Sequence, residues 1–282
     1  VDIAVKEINA SGGINGKQIE LIKYETGSDP KQAVVGTRKL ADDDKVLAII
    51  GPFSSGEAAA AFPVGERLGI VQIPNASSAP GLTKDKAYGF RLTEDEGKQF
   101  ARLMQAMKRN NVPMSRAAVV YASDNRITSV VGKFIMPALL KKFGAVVADP
   151  IGFPVASFDV APQVTKVMES NPEVVGVAGF GVHAAAFYKE LKRQGFKGRI
   201  IGSQLFADPV AFDSLKSAEG TLFAAGYWRT QDEAASAFTQ KFVAGTKDAG
   251  IGRPWPHHVD AQAYDIVYLY KQVIEAAGVT GN

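Results

Sequence analysis

Val46-Leu47-Ala48-Ile49-Ile50-Gly51-Pro52-Phe53-Ser54-Ser55-Gly56 decides the fold of this chain. An apolar run without alternation, Val46 to Ile50, is what a strand buried on both faces requires. Gly51 ends it, an alanine-rich helix is predicted over 56–68, and Ile70 to Pro74 reads as the next strand. Strand, helix and strand in that order make a parallel βαβ unit. Upstream, Val1 to Ala10 brings Ile3, Val5 and Ile8 to one helical face, before Gly12-Gly13 and Asn15-Gly16 break it. Gln18 to Tyr24 reads as a strand. Asp29-Pro30 supplies the N-cap and first-turn residue of a helix running to about Asp42.

The alternation continues downstream. Helices are predicted over 94–108, 128–143, 160–169 and 184–193, and strands over 117–121, 145–148, 174–178 and 199–202. The series restarts near Arg116, so the expected fold class is α/β with two doubly wound, Rossmann-like lobes. Such a lobe normally starts on a central strand, whereas this chain opens on a helix. It closes at Ala276-Ala277-Gly278, a helix C-terminus with a glycine stop. Residues are therefore expected to be missing at both ends.

The composition narrows the function. With 46% hydrophobic residues among 282, the chain has enough apolar surface to offset the entropy of ordering, which excludes a disordered chain. Lys and Arg number 32 against 29 Asp and Glu, and a scattered net charge of +3 does not make a nucleic-acid surface. The absence of cysteine removes disulfides, thiol nucleophiles and zinc-thiolate sites. No stretch approaches the ~20 apolar residues of a membrane helix. No basic-then-apolar leader is visible at the N-terminus.

Enzyme signatures are weak. Gly179-Phe180-Gly181-Val182-His183-Ala184 fits G-x-G-x-x-A between a strand and a helix. A dinucleotide site would want an acid at the tip of the next strand, where Gly202-Ser203-Gln204 stands instead. The alternative is a tight turn over a helix N-terminus. Ser54 and Ser55 do not match the G-x-S-x-G elbow, and His183, His257 and His258 lack metal-ligand spacing. His257-His258, after Pro254-Trp255-Pro256, reads as a loop feature. What remains is two strand ends rich in small polar residues, 51–56 and 75–80. Ligands bind beyond the carboxyl ends of strands in open α/β sheets. Hydroxyls and N–H groups at a helix N-terminus suit a carboxylate. The competing reading makes Ser54 or Ser55 a plain N-cap.

With these residues in view, the chain resembles the type I periplasmic solute-binding proteins of the branched-chain amino acid transporter class. Glu7 to Lys17, Val46 to Gly56, Ile73 to Thr83, Phe90-Arg91, Phe158 to Pro172 and the Ala261-x-x-Tyr264-Asp265 pattern carry the resemblance, over essentially the whole chain. It implies a periplasmic binding protein type I fold, two hinged lobes with the ligand in the interlobe cleft. The first lobe would be residues 1–117 plus 226–282 and the second 118–225, with the first strand and a C-terminal segment missing. It implies a monomer in the periplasm that hands a small molecule to the permease of an ABC importer, with no cofactor, no metal and no catalysis.

The resemblance also implies site residues. Ser55, and Ala76 with Ser77 or Ser78, match the positions that hold a ligand carboxylate, with Ser54 beside them. Amino-acid binders often have an aromatic residue where Arg126 stands and an acid where Gln204 stands. A neutral Gln204 leaves a buried ammonium without its counter-charge. Arg126 repels an ammonium and suits a carboxylate. Phe180 to His183 offer an aromatic wall and an imidazole, and Phe53, Phe206 and Tyr227 complete the apolar walls. The expected ligand is a small carboxylate without a free α-amino group, aromatic or short aliphatic. A sensor domain of the same fold and an α/β enzyme of another class are the competing readings.

Overall fold

A computed structural model describes residues 1–157, 159–209 and 219–278, without the side chain of Arg126; Phe158 lies outside the described residues. The chain forms two units, Val1–Glu94 with Tyr227–Asn282, and Asp95–Gly226. Residues 95–117, counted with the first lobe in the sequence expectation, group with the second unit.

The first unit contains α1 (Asp2–Ala10), α2 (Pro30–Arg38), β1 (Ala48–Ile50), α3 (Ser55–Leu68) and β2 (Val71–Ile73). β1 and β2 pair in parallel, with Ile49 opposite Gln72. Asp29 caps α2 by accepting from the Lys31 N–H, and Gly69, at φ +67°, closes α3 in the left-handed region that favours glycine. The strand expected over 18–24 does not form among the described residues. The segment joins no ladder. Asn9 holds it instead, its Oδ1 accepting from Ile19 N at 2.7 Å and its Nδ2 donating to Ile19 O at 2.9 Å. A strand needs a neighbour's N–H and C=O groups, and here a side chain supplies them.

The second unit contains α4 (Glu96–Arg109), β3 (Arg116–Ala122), α5 (Arg126–Val130), α6 (Met136–Lys142), β4 (Val146–Val147), β5 (Ile151–Phe153), α7 (Ala161–Glu169), β6 (Val174–Ala178), α8 (Gly181–Arg193), β7 (Arg199–Gly202) and β8 (Thr221–Phe223). Its sheet is parallel throughout, in the order β4-β3-β6-β7-β8, with β5 pairing β3 further along the same strand. Both faces are buried, which explains the unbroken apolar runs. Val120, Val175 and Val177 pack with Phe153 and Phe187 on one face, and Val119, Val174 and Ile201 with Met104 and Met136 on the other. Gly176 gives Met136 its place: a Cβ there would meet the thioether sulfur at 2.1 Å.

Two further helices, α9 (Glu233–Asp248) and α10 (His258–Ala277), complete the first unit. The Tyr264 of the family-like pattern lies on α10. Its hydroxyl, at 2.5 Å, and that of Tyr268, at 2.9 Å, donate to Glu7 Oε2 on α1. Lys241 of α9 pairs with the other oxygen at 3.0 Å. Burial opposes the Glu7 charge, but these three hydrogen bonds outweigh it and hold its carboxyl below the ordinary range.

Candidate functional site

The turns after β1 and β2 are built as one piece. Gly51 sits at φ +132°, a backbone that side chains rarely adopt, and turns the chain out of β1. Ser54 is the N-cap of α3: its hydroxyl accepts from Glu57 N at 3.3 Å, while Glu57 Oε2 accepts from Ser54 N at 3.1 Å. The capping role thus falls to Ser54, and Ser55 does something else. Its Oγ accepts from Ala79 N, on the next turn, at 3.1 Å. Ser77 Oγ donates to Phe53 O at 3.1 Å, and Arg91 Nη1 donates to Ala79 O at 2.7 Å. Two turns 24 residues apart in sequence are stitched into one surface.

That surface offers donors. Ser55 and Gly56 begin α3, so their N–H groups have no intrahelical acceptor. Ser55 Oγ is already an acceptor for Ala79, and among the described residues its hydrogen has no acceptor. Phe53, two residues earlier on the same turn, is 53% exposed. Ala76 and Ser78 are half-buried on the second turn. Ser77 is fully buried and its hydroxyl is spent on Phe53 O, so it holds the turn in place.

Behind the turn lies a carboxylate that sequence reasoning missed. Glu57 is 1% exposed. Besides Ser54 N, it accepts from the Thr26 hydroxyl at 2.5 Å. Burial opposes its charge, but hydrogen bonds from Ser54 and Thr26 outweigh that and hold its carboxyl below the ordinary range. The S-x-x-E spacing of Ser54 to Glu57 was the available signal.

The expected residues of the second unit fall differently. Phe180, half-buried, is the N-cap of α8. His183 is buried, and both ring nitrogens are used: Nδ1 accepts from Phe180 N at 3.1 Å and Nε2 lies 2.8 Å from Val155 O. A carbonyl can only accept, so the imidazole is the Nε2–H tautomer. Gly179 allows this, since a Cβ there would come within 3.0 Å of Nδ1. The G-x-G-x-x-A turn is thereby a tight cap over a helix start. Gln204 is buried in a short 3₁₀ turn, Gln204–Ala207, after β7. Phe206 is 0% exposed, tilted against Phe223 at 6.3 Å, and fills the space above Gly202. It packs in the hydrophobic core of its unit.

Arg126 opens α5, whose N-cap is Asn125, with Oδ1 accepting from Ile127 N and Thr128 N. Tyr227 belongs to the first unit, where its hydroxyl donates to Ala235 O at 3.0 Å and meets Thr239 Oγ1 at 2.9 Å. Burial pushes that hydroxyl's pKa up. His257 and His258 are not a loop feature. His257 is the N-cap of α10, its N–H donating to Asp260 Oδ2 at 2.9 Å, and His258 is buried against it with the two rings 4.0 Å apart. Burial first, and the neighbouring His257 second, push the His258 pKa down to about 2. Among the described residues, no cluster of three His, Asp or Glu side chains is placed to hold a metal, and no helix is long and apolar enough to cross a membrane.

Comparison with known proteins agrees with this architecture. The "Amino acid binding protein" of Pseudomonas aeruginosa is 29% identical over 218 residues, 77% of this chain and 56% of that protein. The Leu/Ile/Val-binding protein of Escherichia coli K12 is 28% identical over 231 residues, 78% of this chain and 59% of that protein. The chain thus spans less than two thirds of the length of these curated relatives. Among solved structures, the branched-chain amino acid transporter substrate binding protein LivJ of Streptococcus pneumoniae, in complex with isoleucine, superposes with a TM-score of 0.80 at 23% identity. That likeness covers 98% of this chain and 77% of that one. A solute binding protein of an R. palustris ABC transporter, in complex with 4-hydroxybenzoate, gives 0.82 at 17% identity over 99% and 75%. At these identities the likeness is one of fold. The family described as "Periplasmic binding protein" matches residues 1–282, and the chain belongs to it.

Proposed function

We propose that this chain is the extracytoplasmic solute-binding component of an ABC importer, taking a small carboxylate rather than transforming it. The observation that carries the reading is the stitched pair of turns at Ser55 and Ala79, with unclaimed N–H groups at the start of α3. A carboxylate there would accept from Ser55 N, Gly56 N and the Ser55 hydroxyl, with Phe53 against its apolar part. Lobe closure over the ligand, with Phe180, Gln204 and Arg126 contributing, and delivery to a permease come from the family resemblance. On this reading the neutral Gln204 and the cationic Arg126 favour an aromatic or short aliphatic acid over a free amino acid. The 4-hydroxybenzoate complex of the R. palustris protein is a precedent for such a ligand on this fold.

The second reading is a branched-chain amino acid ligand, favoured by the names of the relatives at 28–29% identity. A thermal-shift screen of ligand-stripped protein separates the two. A ligand at a hundred times its Kd adds about 2.7 kcal/mol of stability. Stabilisation by 4-hydroxybenzoate and not by isoleucine supports the acid reading, the reverse supports the amino acid reading, and no response to either overturns the carboxylate site.

A further inference from the structure

Glu57 has no part in the binding reading above, yet its carboxylate borders the α3 side of the turn, while the Arg91 guanidinium lies on the Ala79 side. Its carboxylate is buried, bonds to the N–H of the residue just before Ser55, and is held from the far side by Thr26. Among the described residues no cation is a hydrogen-bond partner of Glu57, and Asp29 adds a second negative charge to its surroundings. The positive end of α3 is therefore already partly compensated from within. A carboxylate bound at Ser55 N and Gly56 N would neighbour that charge, since Glu57 holds the N–H of the preceding residue. Water is kept from Glu57, so the repulsion is screened less than at a surface.

We infer that Glu57 is a specificity-determining residue of this turn: it admits a single carboxylate and rejects ligands carrying a second negative charge nearby. The inference rests on the carboxylate reading of the Ser55 turn. It narrows the ligand class to monocarboxylates, excluding dicarboxylates and phosphate esters. Glu57 acts through its field and needs no contact with the ligand. Zwitterions, whose net charge is zero, should feel it least.

The test compares the native chain with Glu57→Gln by titration calorimetry. Glutamine keeps the capping arrangement, because it can accept from Ser54 N in the same way. The probes are 4-hydroxybenzoate, isoleucine and phthalate. Removing the charge should tighten 4-hydroxybenzoate about tenfold and phthalate about a hundredfold, with isoleucine moving by less than about twofold. Thr26→Val removes a hydrogen bond to Glu57 and leaves its charge, so it should shift all three by less than about twofold. Equal effects of Glu57→Gln on 4-hydroxybenzoate and phthalate, a loss of isoleucine binding, or matching effects of Thr26→Val would overturn the inference while leaving the carboxylate reading intact. Binding of none of the three probes to the native chain would overturn both.

Discussion

The starts of α3 and α8 solve one problem in two ways. Both follow a parallel strand, and in both the third residue of the helix reaches back to the N–H of the N-cap. Glu57 Oε2 does so to Ser54 N at 3.1 Å, and His183 Nδ1 to Phe180 N at 3.1 Å. The differences lie in charge and in what remains. At α3 the serine returns the favour to Glu57 N, and the neighbouring Ser55 reaches across to the second turn. At α8 the N-cap is a phenylalanine, and the second ring nitrogen of His183 is turned inward to Val155 O. At the first start the Ser55 hydroxyl is engaged only as an acceptor among the described residues, while at the second both ring nitrogens of His183 are engaged.

The largest effect that could break this contrast is on stability. His183→Ala should strand Phe180 N and Val155 O and leave a hole beside Phe153, whose ring lies 5.0 Å from the imidazole. A loss of about 3 kcal/mol is expected in urea unfolding. A loss below about 1 kcal/mol would mean that the imidazole is not structural.

Ser55→Ala should do the opposite. Its binding cost for 4-hydroxybenzoate is expected at about thirtyfold, or ~2 kcal/mol, and should exceed its stability cost, since one neutral hydrogen bond from Ala79 is lost. A large drop in melting temperature with unchanged affinity would move Ser55 into the scaffold alongside Ser77.

A smaller effect concerns α10, where Asp260 plays the part of Glu57 and accepts from His257 N. Here the buried His258 is neutral, with its pKa near 2 against an ordinary 6.5. Because its folded pKa is lowered, this stabilisation is full above the unfolded value and is lost as pH falls below it. The expected slope is about 1.4 kcal/mol per pH unit below pH 6.5, from the proton that only the unfolded chain binds. The lowered Glu57 pKa adds a loss of the same sign as pH falls through the ordinary carboxylate range. His258→Phe should remove the part between pH 6.5 and 5.5; an unchanged profile would show that another group titrates there.

The sequence announced the parallel sheets well, because a strand buried on both faces must be apolar at every position, as Val174 to Ala178 is. It also offered the two roles of the serine pair, and the structure divides them, Ser54 to the cap and Ser55 to the neighbouring turn. It could not separate Phe53 from Phe206, one exposed and the other sealed in the core, since an apolar wall and a core demand the same side chain. Nor could it show that Thr26 reaches Glu57 across 31 residues, or that Asn9 replaces a strand neighbour for Ile19. Those contacts depend on where distant segments meet, and no local pattern encodes them.

On the proposed function, the start of α3 receives the carboxylate. Amide chemical shifts during titration with 4-hydroxybenzoate test it most directly. Ser55 and Gly56 are expected to show the largest downfield amide-proton shifts, with Ala79 close behind and the amides of Phe180 to His183 moving less. Shifts confined to the α8 start, with Ser55 and Gly56 unmoved, would contradict it.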